Sequence, residues 1–262
     1  MRLAFTDSSI IGGDVHFVGW KTFVRVLGDN TFPYIIRNTL VFVLSCIILQ
    51  LSLGLVIAVV LDRAITQQLK GTVFIRGTVL VAWVIPGIVI GVIWKMILQD
   101  GSYGIAKYLL SLVGVEPIAF LSNANSAMGA VILSNTWRGT AFSMIMQFAA
   151  LQKIPRELYE SAEVDGAGFI QRFLHITLPQ LREIIFINLV LITIYTVNLF
   201  DMILPLTGGG PGRATEVIAL SLYSRAFSKF DLAGASALAV IMLITNVIMA
   251  LIYYRIFSVE EE

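Results

Sequence analysis

The sequence predicts an all-α integral membrane protein with about five transmembrane helices. Three observations carry this. Of its 262 residues, 57% are hydrophobic and only 13% are charged, against about 25% charged in an average soluble domain. Mean hydropathy is +0.86. The apolar residues also gather into five stretches, each near the roughly 20 residues that a membrane-crossing helix needs.

The same arithmetic removes other classes. The 18 Lys+Arg and 17 Asp+Glu give a net charge of +1, with no basic run, so the electrostatic footprint of a nucleic-acid binder is missing. A disordered or collagen-like chain is too polar or too repetitive to match. Cys46 is the single cysteine, so there is no internal disulfide framework.

The five stretches are 39–61, 77–98, 127–151, 183–206 and 232–257. They are longer than most soluble helices and apolar nearly all round, without the polar face that a soluble helix shows. Pro86 and Pro205 fall inside or at the ends of spans, where membrane helices tolerate proline once neighbours re-satisfy the freed carbonyl. Residues 1–38 are polar or weakly apolar and span nothing, and no signal-peptide core is visible in them. Residues 39–257 read as a single membrane domain without internal repeats, and 258–262 as a short tail. Lys and Arg divide eight to nine between the two sides, so the positive-inside rule leaves the orientation open. Their density favours the side of loop 152–182 as cytoplasmic.

Loop 152–182 is the polar centre of the chain. It holds Lys153, Arg156, Glu157, Glu160, Glu163, Asp165, Arg172 and Arg182. Pro155 suits a helix start because its missing N–H would be unpaired there. Glu157 and Glu160 sit in the early turns, where carboxylates meet the positive end of the helix dipole. Gly166 and Gly168 mark a turn. Phe169, Phe173 and Ile176 then share one face of a second helix, and Pro179 interrupts it before the next span. The prediction is a helix–turn–helix platform at the membrane surface. By physics alone it is either an ordinary amphipathic loop or a docking element for a soluble partner.

Within the spans, an ionisable residue is a functional candidate by default. Arg138 lies in 127–151 with Asn135 one turn earlier. It either lines a pathway or snorkels to an interface. Asn188, Tyr195, Asn198 and Asp201 keep to one helical stripe. They fit either hydrogen bonding to a polar solute or polar contacts between helices, and Asp201 fits a helix cap near the outer interface. The run Thr207-Gly208-Gly209-Gly210-Pro211-Gly212 is by itself a flexible turn. Trp83, Trp94, Phe120 and Trp137 suit interface anchoring or packing. No G-x-x-x-x-G-K-[ST] phosphate cradle occurs. His16, His175 and Cys46 form no metal-ligand cluster, and no nucleophile–base pair stands out. The chain is expected to hold no metal site and no catalytic residue.

One spacing is more specific. Glu160-Ser161-Ala162, three residues, Gly166, nine residues and then Ile176-Thr177-Leu178-Pro179 resembles the EAA loop of the membrane subunits of binding-protein-dependent ABC importers. Ser161 stands where the pattern has its first alanine. Thr207 to Gly212 followed by Ala214-Thr215-Glu216 resembles the TGGGP stretch of maltose-type sugar permeases within that superfamily. Trp137-Arg138-Gly139-Thr140, Phe5-Thr6-Asp7, Phe17-Val18-Gly19 and Arg37-Asn38-Thr39 are similar to further segments of these permeases, so the resemblance covers nearly the whole chain.

The resemblance implies a permease subunit of an ATP-driven importer for a sugar or oligosaccharide, multi-pass in the inner (plasma) membrane. Loop 152–182 would be the cytoplasmic coupling loop, 1–38 extracytoplasmic and 258–262 cytoplasmic. Glu160, Ser161, Ala162, Asp165, Gly166, Ile176, Leu178 and Pro179 would couple to the ATPase, with Glu160 against one of its arginines. Asn135, Arg138, Asn188, Tyr195 and Asn198 are the candidate substrate pathway. Gly208, Gly209, Gly210 and Pro211 are the candidate contact for the binding protein. The implied partners are a second permease, two copies of a cytoplasmic ATP-binding subunit that uses ATP and Mg, an extracytoplasmic substrate-binding protein and the lipid bilayer. This chain itself would bind no cofactor and no nucleic acid. The family core normally has six or more spans, so a further span is expected upstream of Phe5-Thr6-Asp7. The alternatives are a permease for glycerol phosphate or a polyamine, a stand-alone secondary transporter or channel, and a membrane-embedded enzyme, which the missing catalytic constellation disfavours.

Overall fold

The computed structural model describes residues 2–8, 16–101, 103–114 and 119–258, with only the backbone of Ser258. The expected tail beyond it, 259–262, lies outside the described residues. Among the described residues the regular structure is helical, apart from one antiparallel bridge between Thr6 and Phe17. The helices are α1 (Lys21–Leu27), α2 (Phe32–Thr66), α3 (Thr72–Val84), α4 (Gly87–Leu98), α5 (Ile105–Leu112) and α6 (Ala124–Leu151). They continue as α7 (Arg156–Val164), α8 (Phe169–Gln180), α9 (Arg182–Val197), α10 (Ile203–Leu206), α11 (Ile218–Tyr223) and α12 (Leu232–Ser258).

Two of these, α2 and α12, are each long and apolar enough to cross a membrane. Most of their exposed residues are apolar, including Leu40, Leu44, Ile48, Val56 and Val60 on α2 and Leu243, Ile244, Val247, Ile248 and Leu251 on α12. A surface that faces hydrocarbon has no need of polar cover.

The other three expected spans differ from their prediction. The stretch 77–98 is two helices, α3 and α4, with Ile85 extended at ψ 130° before Pro86. The proline ring disfavours helical backbone in the residue before it and removes a helical hydrogen bond, so Pro86 breaks the span. The stretch 183–206 is also divided: α9 stops at Val197, and α10 resumes only at Ile203. The α8–α9 pair bends by 65° and, like α3 with α4, reaches spanning length and composition only as a pair. The third, α6, is one unbroken helix of 28 residues but is more polar than α2 and α12. Along its length Ser134, Asn135, Thr136, Thr140, Ser143 and Gln147 are buried, away from lipid.

The chain divides into two compact units. The first comprises Met1–Cys46, Pro86–Asn135 and Thr193–Met249, the second Ile47–Ile85, Thr136–Ile192 and Ala250–Glu262.

In the second unit, α2 and α6 cross through small residues. A Cβ on Gly54 would lie 2.5 Å from the Ser143 Cβ, and one on Gly139 would overlap the Gln50 amide. Close backbone approach of this kind is how helices pack where the surrounding solvent is itself apolar. The Gln147 amide donates to the Leu51 carbonyl at 3.2 Å across the same crossing. Below it, Ala58, Leu61, Met144, Phe148, Leu151, Ile154 and Leu181 form a buried apolar cluster.

In the first unit, Gly87 and Gly91 on α4 lie against Asp201, Met202 and Pro205. Charge pairing is concentrated near α11. Arg225, 9% exposed, pairs with Asp29 at 2.6 Å and with Asp231 at 3.6 Å, and Arg25 pairs with Asp231 at 2.9 Å. Asp29 also accepts from the Thr31 amide and hydroxyl. The Thr31 amide, then its hydroxyl, and then Arg225, acting against partial burial, hold the Asp29 carboxyl down at about 2. α2 starts at Phe32, ahead of the expected 39, so Arg37-Asn38-Thr39 lies inside the helix.

Candidate functional site

The platform forms as two helices around a glycine turn. α7 begins after Pro155, whose φ of −58° matches its ring. Gly166 has φ +80°, a conformation in which a Cβ would be strained. Its amide bonds back to the Glu163 carbonyl, and the Ala167 amide to the Ala162 carbonyl at 2.8 Å. α8 starts with the Gln171 side chain accepting from the Gly168 amide at 2.8 Å. Residues Phe173–Thr177 widen into a π-turn. Pro179 stays inside α8, and the break falls at Leu181, two residues later than expected.

Five side-chain contacts tie the platform together, to the end of α6 and to α2. The Asp62 carboxylate accepts from both terminal nitrogens of Arg156, at 2.8 and 3.2 Å, and from the Gln152 amide at 2.6 Å. Arg63 lies over the Phe169 ring, 3.5 Å from its centroid. Glu163 and Arg172 pair at 2.9 Å, and the Tyr159 and Thr177 hydroxyls meet at 2.9 Å. These elements enclose a cleft of about 700 Å³ that Glu160 also lines. Neither Asp62 nor Arg63 belongs to a motif that a local pattern exposes.

The eight coupling candidates therefore share one platform. Glu160, Ser161, Asp165, Gly166 and Pro179 are exposed, and Ala162, Ile176 and Leu178 are half-buried. Ala162 and Ile176 line a hollow of about 200 Å³, and Leu178 and Pro179 line another of about 440 Å³. Val164, Ile170 and Leu174 are exposed beside them. The surface mixes carboxylates with bare apolar side chains.

The pathway candidates separate. In the second unit Asn188 is fully buried, and neither of its amide atoms has a hydrogen-bond partner. Thr136 Oγ1, Ser143 Oγ and Gln147 Oε1 on α6 are likewise buried without one. Arg138 is half-buried on α6. In the first unit Asn135 is buried, with its amide 3.3 Å from the Cys46 sulfur, and Tyr195 is exposed. The expected stripe on the fourth span ends early. With α9 stopping at Val197, Asn198 caps the helix by donating to the Ile194 carbonyl at 2.7 Å, and Asp201 lies in the break.

The glycine-rich segment is more ordered than a flexible turn. Gly208 and Gly209 take φ of +60° and +91°, and the Gly210–Pro211 bond is cis. Thr215, completely buried, donates to the Gly210 carbonyl at 2.8 Å and meets the Thr207 hydroxyl at 2.7 Å. The Asn38 amide reaches the Arg213 and Glu216 carbonyls at 2.9 and 3.3 Å, and the Thr39 hydroxyl accepts from the Ile218 amide at 2.9 Å. Two separate sequence motifs thus meet in one structure. A cleft of about 590 Å³ beside it is lined by Tyr34, Arg37, Asn125 and Arg213 among others.

Apolar helices, a polar helix buried among them and one charged platform define a polytopic membrane transport protein. Residues 50–258 match the family described as the binding-protein-dependent transport system inner membrane component, and the chain belongs to that family. It is accordingly a permease subunit of an ABC importer and resides in the inner membrane. It is 34% identical over 240 residues to the trehalose/maltose transport system permease protein MalF of Thermococcus litoralis, covering 92% of this chain and 79% of that one. Against the sulfoquinovosyl glycerol transport system permease protein SmoG of Agrobacterium fabrum it is 32% identical, over 99% and 84% of the two chains. Against the sn-glycerol-3-phosphate transport system permease protein UgpA of Brucella abortus it is 31% identical, over 98% and 86%. A crystal structure of a bacterial ABC transporter that imports the acidic polysaccharide alginate shares the fold. Its TM-score is 0.82 at 23% identity, covering 92% of this chain and 84% of that one.

Proposed function

We propose that the chain imports a sugar or oligosaccharide in a complex with a second permease, two ATP-binding subunits and a substrate-delivering binding protein. The observation that carries this is the platform, where a helix, a positive-φ glycine and a second helix present Glu160 at an open cleft. A carboxylate in such a position suits a cation from a soluble partner. ATP and Mg are used by that partner, and this chain converts the partner's closure into movement of its helices. The platform then faces the cytoplasm, and Gly208, Gly209, Gly210 and Pro211 receive the binding protein on the opposite side.

Alternating access needs polar groups that become reachable as the helices move. The buried, unpartnered Asn188 amide, Ser143 Oγ and Gln147 Oε1 are suited to this, because leaving them unsatisfied is costly and a polyol or water entering between helices removes the cost. Asn135, Arg138, Tyr195 and Asn198 are the other proposed pathway residues. A sugar fits this mostly neutral set better than an anion does. The relation to a glycerol-3-phosphate permease, together with the cation Arg138, supports a phosphorylated solute as the second reading.

The test is uptake into vesicles by the complete transporter, offered trehalose, maltose and glycerol 3-phosphate in turn. In the same assay Glu160→Lys abolishes solute-dependent ATP hydrolysis and lowers uptake by about two orders of magnitude, as expected when a coupling contact becomes a repulsion. Wild-type uptake by a correctly inserted Glu160→Lys protein refutes the coupling role.

A further inference from the structure

We infer that Asp62 and Arg63, adjacent residues in the last turn of α2, are the positioning residues through which movement of the platform reaches α2. The inference rests on the proposed coupling role of that platform and adds the link that follows it.

The two residues grip the starts of both platform helices. Arg156, held by Asp62, is the first residue of α7, and Phe169, under Arg63, is the first residue of α8. Gln152, the third partner, follows directly on the end of α6. Consecutive helical residues point about 100° apart, given 3.6 residues per turn, so one turn of α2 reaches two elements at once. On the far side, Glu163–Arg172 and Tyr159–Thr177 close α7 onto α8, so the two helices respond as one body.

The chemistry of the contact suits transmission rather than stability. Arg156 is 45% exposed and Asp62 only 15%, so the pair is rooted on α2 and open on the platform side. An ion pair this exposed adds little to folding. The two-pronged guanidinium–carboxylate contact does fix an orientation as well as a distance, because both partners are planar. α2 is unbroken over its whole 35 residues, with its one proline, Pro33, in the first turn. It therefore has no proline at which a displacement of its end would be absorbed by kinking.

The test uses the complete transporter in vesicles and reads solute uptake and ATP hydrolysis together. Asp62→Asn keeps the shape and removes the charge. The expected result is uptake reduced about tenfold while ATP hydrolysis continues, within the range of coupling effects. The reversed pair, Asp62→Arg with Arg156→Asp, recovers a measurable part of the uptake that either single reversal loses. Uptake within twofold of wild type in Asp62→Asn overturns the inference. So does a parallel loss of uptake and hydrolysis that the reversed pair fails to recover, since that marks a purely structural contact. Glu160→Lys in the same assay separates the two claims. If it leaves uptake intact, the coupling reading falls; if it abolishes uptake while Asp62→Asn does not reduce it, only this inference falls.

Discussion

The platform at 152–182 and the glycine-rich loop around 207–216 are both connections rich in turn residues, yet opposite interactions hold them. In the platform, backbone bonds stay within each helix and turn, and the links between elements are made by charged and aromatic side chains. Glu160 and its neighbours remain exposed. In the glycine-rich loop, a fully buried threonine, the Asn38 amide and the Thr39 hydroxyl satisfy main-chain groups directly, and few charges take part. Side-chain links can be exchanged for a partner's groups at little cost. Buried links to the backbone cannot, because each one broken strands a polar group away from water. Under the proposed coupling role, the platform is the region that exchanges its links for a partner's, and the loop is the region that keeps its shape.

Three perturbations sharpen this contrast, beginning with the strongest. The platform stands on the α2–α6 crossing, so Gly54→Leu, which drives a side chain into Ser143 and Met144, is expected to destabilise the protein by about 3 kcal/mol or more. Thermal unfolding in detergent measures it, and a midpoint equal to wild type would show that the crossing opens freely. In the loop, Thr215→Val strands the Gly210 carbonyl and removes one partner of the Thr207 hydroxyl, with an expected cost of about 1–2 kcal/mol. Faster hydrogen exchange confined to 207–216 reports it, whereas unchanged exchange removes the threonine from its role.

The smallest effect is in pH. Asp29, on the loop's side of this comparison, is held at about 2 rather than at its ordinary 3.8. A depressed carboxyl stabilises the fold fully above its unfolded value and loses that contribution as pH falls through the folded one. The Asp29–Arg225 contact should therefore survive from neutral pH down to about 4 and weaken between about 4 and 2. Infrared titration of the carboxyl bands tests this. In Arg225→Gln the Asp29 midpoint moves up towards the ordinary range; an unmoved midpoint assigns the whole effect to Thr31.

The platform was legible because its signals are local. Pro155, the acids of the first turns and Gly166 act on backbone within a few residues of themselves, and the Glu160-to-Pro179 spacing lies inside one loop. The broken spans were less legible. Pro86 read as tolerated inside a helix because apolar composition counts residues without regard to backbone continuity. The stripe from Asn188 to Asp201 assumed a helix that ends at Val197, and an Asn capping a C-terminus looks, in sequence, like an Asn on a face.

By itself the sequence determined that this protein lives in a bilayer, that its structure is helical and that its one concentrated polar segment is a two-helix platform. Composition and short-range periodicity suffice for these, since the partition of apolar surface and the local backbone preferences do not depend on distant residues. The tertiary structure alone decided that Asp62 meets Arg156, that Arg63 covers Phe169, that Asn38 and Thr39 bind the glycine-rich loop, and which polar groups of α6 and α9 are buried without partners. Those facts follow from helix crossings that bring together residues 94 to 179 positions apart, and no local preference encodes a separation of that length.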